Sequence, residues 1–348
     1  MSPATGPALG SAPARVGLGF QSDKHPSDYE RLAAGAEHYG FDVLSVFGDL
    51  YFQPPVPALL AMARVTSTIA LGPACLNPYT LHPVEIAGQI AALDTASAGR
   101  AYLGLCRGSW LGPLGIDQRH SPQTVAEAAA VVAALLSGDR GGVPGVRFAL
   151  PPGAALRQPP FRASVPLLIG TWGPRLGGIA GAIADEVKLG GSANPAMVPL
   201  MRQWADAGAA AAGRRAPAVG IVVGAVTVVD EDGRRARARA RREVAMYLDV
   251  VGSLDPTVKI PAGLVENVGR ALRGGGPETA ATLIPDEILD RFAFAGTPDA
   301  VADHAVEVLA AGAGRIEFGT PHGLSDDRGL ELLGARVLPV IREAMGDR

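Results

Sequence analysis

Short apolar runs alternate along this chain with longer stretches in which apolar positions recur at helical spacing. Eight of the short runs read as strands: 15–20 (RVGLGF), 42–47 (DVLSVF), 68–72 (TIALG), 101–106 (AYLGLC), 166–170 (PLLIG), 185–189 (DEVKL), 219–229 (VGIVVGAVTVV) and 314–319 (GRIEFG). Several are apolar at successive positions, the pattern of strands covered on both faces. Between them, His25-Pro26-Ser27 opens a helical run with Tyr29, Leu32, Ala33 and Ala36 on one face, closed by Gly40. Ile86, Ile90 and Leu93 mark a second helix, and Ser121-Pro122 starts a third with Val125, Val132 and Leu136. Thr297-Pro298 starts a late one with Val301, Ala305 and Val308, stopped by Gly312. Proline just inside a helix start and glycine just past its end is the ordinary asymmetry. This rhythm predicts a parallel sheet with helical crossovers, and eight repeats of it predict an α/β protein of the (β/α)8 TIM-barrel type.

Two segments interrupt the rhythm. Residues 139–163, rich in Gly and Pro, are expected to form a long loop over the barrel mouth; 251–290 read as a helical insertion before the last strand, with Gly274-Gly275-Gly276 in its middle. The alternation resumes after each, so 15–348 reads as a single domain. Residues 1–14 (MSPATGPALGSAPA) read as a disordered tail, lacking the basic and apolar parts of a secretory signal. No run approaches the ~18 apolar residues that a membrane helix needs, which predicts a soluble protein.

Composition narrows the chemistry. At 348 residues and 48% apolar, the chain can fill a large core, and a net charge of −3 excludes strong attraction to nucleic acid or to an anionic membrane. The arginine run Arg234, Arg235, Arg237, Arg239, Arg241, Arg242 reads as the solvated face of an outer helix. Cys75 and Cys106 are too few for a disulfide framework and fit a reducing, cytoplasmic setting; each reads either as a small core residue or as a residue facing a cofactor. The six histidines form no HxxxH or HxH pair, so no metal site is expected. GxGxxG, GxxxxGK[ST] and GxSxG are all absent, which removes the common Rossmann, nucleotide-hydrolase and serine-hydrolase readings.

In a barrel of this kind the reactive groups sit at the C-terminal ends of the strands. That rule selects Gln21, Ser22, Asp23 and His25, then Asp49 and Tyr51, then the loops 72–83, 107–110, 171–175, 190–195 and 320–323. Two of these loops suit an anion. Gly170-Thr171-Trp172-Gly173-Pro174 leads from a strand into a helix start, where outward N–H groups attract phosphate. Gly191-Ser192-Ala193-Asn194 repeats the arrangement one strand later, with two side-chain donors added. Tight βα turns would use the same residues.

The blocks LGPACLNPYTLHPVEIAGQIAALDTASAGRAYLGLCRGS (71–109) and PLLIGTWGPRLGGIAGAIADEVKLGGSANP (166–195), with RIEFGTPHGLSDDRG (315–329) as a third, resemble the luciferase-like superfamily. Within it they are similar to the methylenetetrahydromethanopterin reductase branch that uses coenzyme F420. The resemblance runs from residue 15 onward and implies a bacterial-luciferase-like barrel, a homodimer with the helices beside strands two and three at its interface, and a small-molecule substrate. It implies a non-proline cis peptide at Ala74-Cys75 against the centre of the deazaflavin. Asn77, Gly108 and Ser109 would stand beside the coenzyme, and the amides of Gly170 to Gly173 and of Gly191 to Asn194 would hold its phosphate.

The chain departs from that branch at three positions. The Asp-His pair after strand two is Asp49-Leu50, the acid after strand four is Ser109, and the glutamate on strand one is Gly19. These changes point away from methylenetetrahydromethanopterin as the substrate, because proton transfer needs a positioned acid. His322 is the first candidate to replace it, being the side chain that titrates near neutrality, with Asp49 and Asp23 next. Arg107 could pair with an anionic substrate or with charge developing on the coenzyme. Each has a structural alternative: His322 as a helix cap, Asp49 as an acceptor of backbone amides, Arg107 in an ion pair. The reading is an F420-dependent oxidoreductase moving hydride to or from a C=N, C=C or C=O centre, in secondary metabolism if the Ala, Gly and Arg content reflects a GC-rich genome. An FMN-dependent monooxygenase using FMNH2 and O2, and a non-catalytic cofactor-binding barrel, are the alternatives.

Overall fold

The computed structural model describes residues 14–346, so the tail expected over 1–14 lies outside the described residues except for Ala14. Nine parallel strands are found among them: β1 (Arg15–Phe20), β2 (Val43–Val46), β3 (Ala70–Pro73), β4 (Leu103–Cys106), β5 (Leu167–Gly170), β6 (Glu186–Gly190), β7 (Gly220–Val229), β8 (Ala293–Gly296) and β9 (Arg315–Gly323). The hydrogen-bonded order is β3-β2-β1-β9-β7-β6-β5-β4. Single bridges, Leu71 to Ala101 and Leu76 to Leu105, join β3 to β4 and nearly close the barrel. All eight expected strands are present within a few residues. The addition is β8, which pairs with the outer end of β7 from Val226 to Val229. Its sequence, AFAG, is too short and too poor in β-branched residues to stand out from the helix before it.

The helices are α1 (Pro26–Tyr39), α2 (Pro55–Val65), α3 (Pro83–Ala96), α4 (Ser121–Ser137), α5 (Pro174–Ile183), α6 (Met197–Ala211) and α7 (Gly233–Ala245). They continue as α8 (Leu248–Val251), α9 (Leu264–Ala281), α10 (Asp286–Phe292), α11 (Pro298–Ala310), α12 (Asp326–Leu332) and α13 (Leu338–Ala344). Alternate strand positions face opposite ways. Leu18, Leu44, Ile169, Val187, Ile316 and Phe318 pack outward against the helices in one large core. Val43, Leu168 and Val222, on inward strand positions, form a small cluster of their own with Cys75 and Tyr102. A third cluster gathers α7 to α10 around β8.

The segment 139–163 corrects one expectation: it follows the flank of the barrel. Glu127 of α4 accepts the amides of Val146, Arg147 and Phe148, and Arg147 reaches the ring of Tyr79 near the mouth. The chain then returns to the start of β4, where buried Asp94 binds Arg162 at 2.8 Å. Residues 251–290 are helical as expected. The helix α9 is broken at Gly276, whose φ of +77° precedes Pro277.

Candidate active site

A column of charge runs through the barrel. On β6, Glu186 and Lys188 take alternate positions; on β9, Arg315 and Glu317 do the same, and all four are buried. Arg15 donates to Glu186 at 2.7 Å, and Arg315 lies 3.1 Å from the same carboxylate. Above them Glu317 binds the ammonium of Lys188 and accepts a 2.5 Å hydrogen bond from Ser45, whose hydroxyl also meets that of Tyr102 at 2.6 Å. Burial alone would raise the Glu317 carboxyl; Lys188, Arg315 and the hydrogen bonds outweigh it and hold it below the usual range. Bare walls make the room. A side-chain carbon on Gly19 would meet Phe47 at 2.6 Å and the Glu317 carboxylate at 2.9 Å. Thus the side-chain space left bare at Gly19 is taken by the Phe47 ring and by a carboxylate from β9.

Above the column lies the mouth. Lys188 places its ammonium 5.1 Å from the Phe47 ring centre and acts electrostatically on Asp49. Asp49 is exposed at the rim, yet the low-dielectric wall behind it raises its carboxyl pKa, with Gln21 and Lys188 pulling the other way. The Ala74–Cys75 peptide is cis, as the resemblance implies. The side chains of Cys75 and Cys106 converge beside it, and the amide of Gly108 donates to Cys106 Sγ at 3.3 Å. Arg107 is exposed, with no side-chain partner among the described residues, and Ser109 is half-buried beside it. Asn77 is buried and spends its carbonyl oxygen on the amides of Tyr79 and Thr80, shaping the β3 loop. The Gln21 side-chain amide that acts on Asp49 is buried beside it and makes no other hydrogen bond among the described residues.

The two candidate anion turns differ. Helix α5 begins at Gly173 with no side-chain cap; Thr171, Trp172 and Gly173 are half-buried and Arg175 is exposed. The Thr171 amide is taken by Lys188 O, and that of Gly173 leans on the Thr171 hydroxyl. In the second turn, Gly191 (φ +83°) folds the chain back so that the amides of Gly191 and Ser192 bind Gly224 O. Those of Ala193 and Asn194 go to Arg291 O and the Ser192 hydroxyl. The Asn194 side chain binds Asp255, Thr257 and Arg291. This turn therefore offers no free main-chain N–H of Gly191, Ser192, Ala193 or Asn194 to a phosphate, which corrects the expectation placed on those amides.

Comparison with known proteins decides the lineage. A family model described as luciferase-like monooxygenase matches residues 7–315. The chain belongs to that family. It is 30% identical to the 5,10-methylenetetrahydromethanopterin reductase of Archaeoglobus fulgidus over 94% of its own length and all of the relative. The structure of the coenzyme F420-dependent tetrahydromethanopterin reductase from Methanopyrus kandleri superposes with a TM-score of 0.86 at 26% identity, covering 94% of this chain and 99% of that one. An F420-dependent glucose-6-phosphate dehydrogenase of Nakamurella multipartita is 27% identical over 96% of this chain and 98% of the relative.

For a luciferase-like barrel, His322 takes an unexpected position. It is 1% exposed, in left-handed backbone (φ +69°), with Nε2 on the Phe318 carbonyl at 3.1 Å and its ring edge-on to Phe20. Burial lowers its pKa to about 4, so the enclosed ring is neutral at pH 7. This corrects its candidacy as a general acid, and its alternative too, because Ser325 caps α12. The residues missed in the sequence are Lys188, Glu317, Ser45 and Tyr102. For Lys188 and Glu317 the signal was present, as opposite charges at alternate positions of two strands expected to be covered on both faces; Ser45 and Tyr102 carried none.

Proposed function

We infer that this luciferase-like protein is an F420-dependent oxidoreductase acting on a small organic substrate. The observation that carries the reading is end-to-end similarity to reductases of this kind, joined to a glycine-walled floor at the mouth. When bound, the deazaflavin supplies hydride chemistry at its C5. The chain's residues bind, orient and handle charge. Ala74, Cys75 and Gly170 form the wall on which a flat ring would rest, while Gly108 and Ser109 border it. The start of α5, with Thr171, Trp172, Gly173 and Arg175, is the remaining anion site, and it takes over the role first shared with residues 191–194. Lys188, fixed by Glu317, directs positive charge at the floor, where it would offset negative charge developing above it. Asp49, its pKa raised, is the group placed to hold or move a proton, and exposed Arg107 is placed for an anionic substrate.

Titrating the pure protein with F420 and with FMN tests the cofactor. Tighter binding of F420 is expected; tighter FMN binding would turn the reading toward a monooxygenase, and failure of both with an intact fold toward a non-catalytic barrel. Once a substrate is in hand, Asp49→Asn is expected to lower kcat about a hundredfold and to remove a limb of the pH profile, with coenzyme affinity kept. An unchanged profile would take Asp49 out of the chemistry.

A further inference from the structure

The two cysteines have no part in the chemistry just described beyond shaping the wall, yet they are placed as a reactive pair. They come from neighbouring segments: Leu76 and Leu105, each next to one of them, form the bridge that joins β3 to β4. A side-chain carbon built on Gly170 would meet Cys75 Sγ at 3.0 Å and Cys106 Cβ at 3.3 Å, so both residues converge on space the glycine leaves open. Cys75 is buried, and Cys106 is half-buried on the side of the mouth. Their surroundings are unequal. The Gly108 amide points at Cys106 Sγ, and the Lys188 ammonium acts on it as well. The neighbouring Cys75 thiol, the Gly108 amide and Lys188 lower the Cys106 pKa against the effect of its burial, whereas the Cys106 side chain and burial push that of Cys75 up. A cysteine whose thiolate is favoured, beside one whose proton is held, is the ordering of an attacking and a resolving cysteine.

We propose that Cys106 and Cys75 form a peroxide-reactive thiol pair that closes to a reversible disulfide in the floor of the mouth. The Cys106 thiolate attacks one oxygen of hydrogen peroxide, the O–O bond breaks, and hydroxide leaves, giving a sulfenic acid. Cys75 sulfur then attacks Cys106 sulfur; the S–O bond breaks, the Cys75 proton accompanies the departing oxygen, and water is released. Two thiols are oxidised by two electrons, and the peroxide is reduced to water and hydroxide. A thiol reductant reverses the bond. The chemistry needs no coenzyme. Only the further expectation, that a bound coenzyme covers Cys106 and slows the reaction, rests on the function proposed above.

The folded full-length protein is treated with hydrogen peroxide and followed by thiol titration, intact mass and peptide mapping. Both thiols are expected to vanish together, the mass to fall by two hydrogens, a Cys75–Cys106 linked peptide to appear, and dithiothreitol to restore the start. Cys75→Ser should stop at a sulfenic acid on Cys106, trapped by dimedone, and Cys106→Ser should abolish the reaction. Circular dichroism checks that each variant is folded. Independent oxygen addition at the two sites, or no reaction in the folded protein, would overturn the proposal. If the disulfide forms at the same rate with saturating F420, the pair stands and the coenzyme's position falls.

Discussion

At the scale of single residues, the molecule spends its polar groups inside the barrel as strictly as its apolar ones. Buried charge is paired throughout the column, although Arg315 Nε and Nη2 and Glu186 Oε2 lack a well-formed hydrogen bond among the described residues. Glu186 lies between two arginines, and Glu317 between Lys188, Ser45 and Arg315. His322 follows a different rule, burying a neutral ring. Desolvation depresses its pKa most; Asp326 of α12 and the backbone of Phe318 and Gly19 oppose this, and Lys24 adds to it. The unfolded chain, with an ordinary imidazole, binds a proton below about pH 6.5, and the folded one only below about 4. Stability from the neutral ring is therefore present above pH 6.5 and is lost as pH falls from there toward 4, amounting to roughly 3 kcal/mol at the acid end. His304, also depressed by burial, contributes in the same direction. The difference between the wild type and His322→Asn isolates the effect. In denaturant melts from pH 7 to pH 4, the variant is expected to start less stable and to lose less; parallel curves would mean that the ring titrates normally in the fold.

At the scale of elements, regular repetition was legible and local closure was not. Proline starts and glycine stops located α1, α4 and α11, since each acts through its own backbone. The strands β1 to β7 and β9 stood out as short apolar runs, whereas β8 owes its strand form to the exposed edge of β7 rather than to its own composition. The two glycine turns look alike in sequence and diverge in space. The turn at Gly173 leads into a ten-residue helix whose first turn has no side-chain cap, while that at Gly191 meets a carbonyl of β7 and the end of α10. Whether an amide is free depends on what another segment brings to it, and that segment is about 30 residues away in one case and 100 in the other. The site candidates divide in the same way. Asp49, Cys75, Gly108 and Gly170 gather at the mouth because strand ends must meet there, whereas His322 fails because its backbone turns it inward just past the bulge between β9 and β7.

At the scale of the whole molecule, two cores of unequal size share one chain. The large core wraps the barrel, and the smaller one gathers α7 to α10 over the end of β7. Beyond the β7–β8 pairing they are joined by Asn194, bound to Asp255, Thr257 and Arg291, and by the Ala193 amide on Arg291 O, whereas the ion pairs from Arg237 to Asp286 and Asp290 lie within the smaller core, with acids that are largely exposed. Exposed pairs of that kind contribute ~1 kcal/mol or less each. The segment 252–285 also contains the break at Gly276, which interrupts the helical hydrogen bonding. Regions with few buried contacts open at lower free energy than the global transition. Amides in 252–285 are therefore expected to exchange with deuterium faster than those of β1, β6 and β7, under conditions where the barrel stays closed. One residue links this motion to the mouth. Trp172 packs against both cores and donates its indole N–H to Gly190 O at 2.9 Å, in the same loop that precedes the free start of α5. An anion held at that helix start would fix the loop, and through Trp172 it would restrain the smaller core. Hydrogen-exchange mass spectrometry with and without F420 checks this: protection should rise at 171–176 and again across 247–292. Protection confined to 171–176 would mean that the two cores move independently.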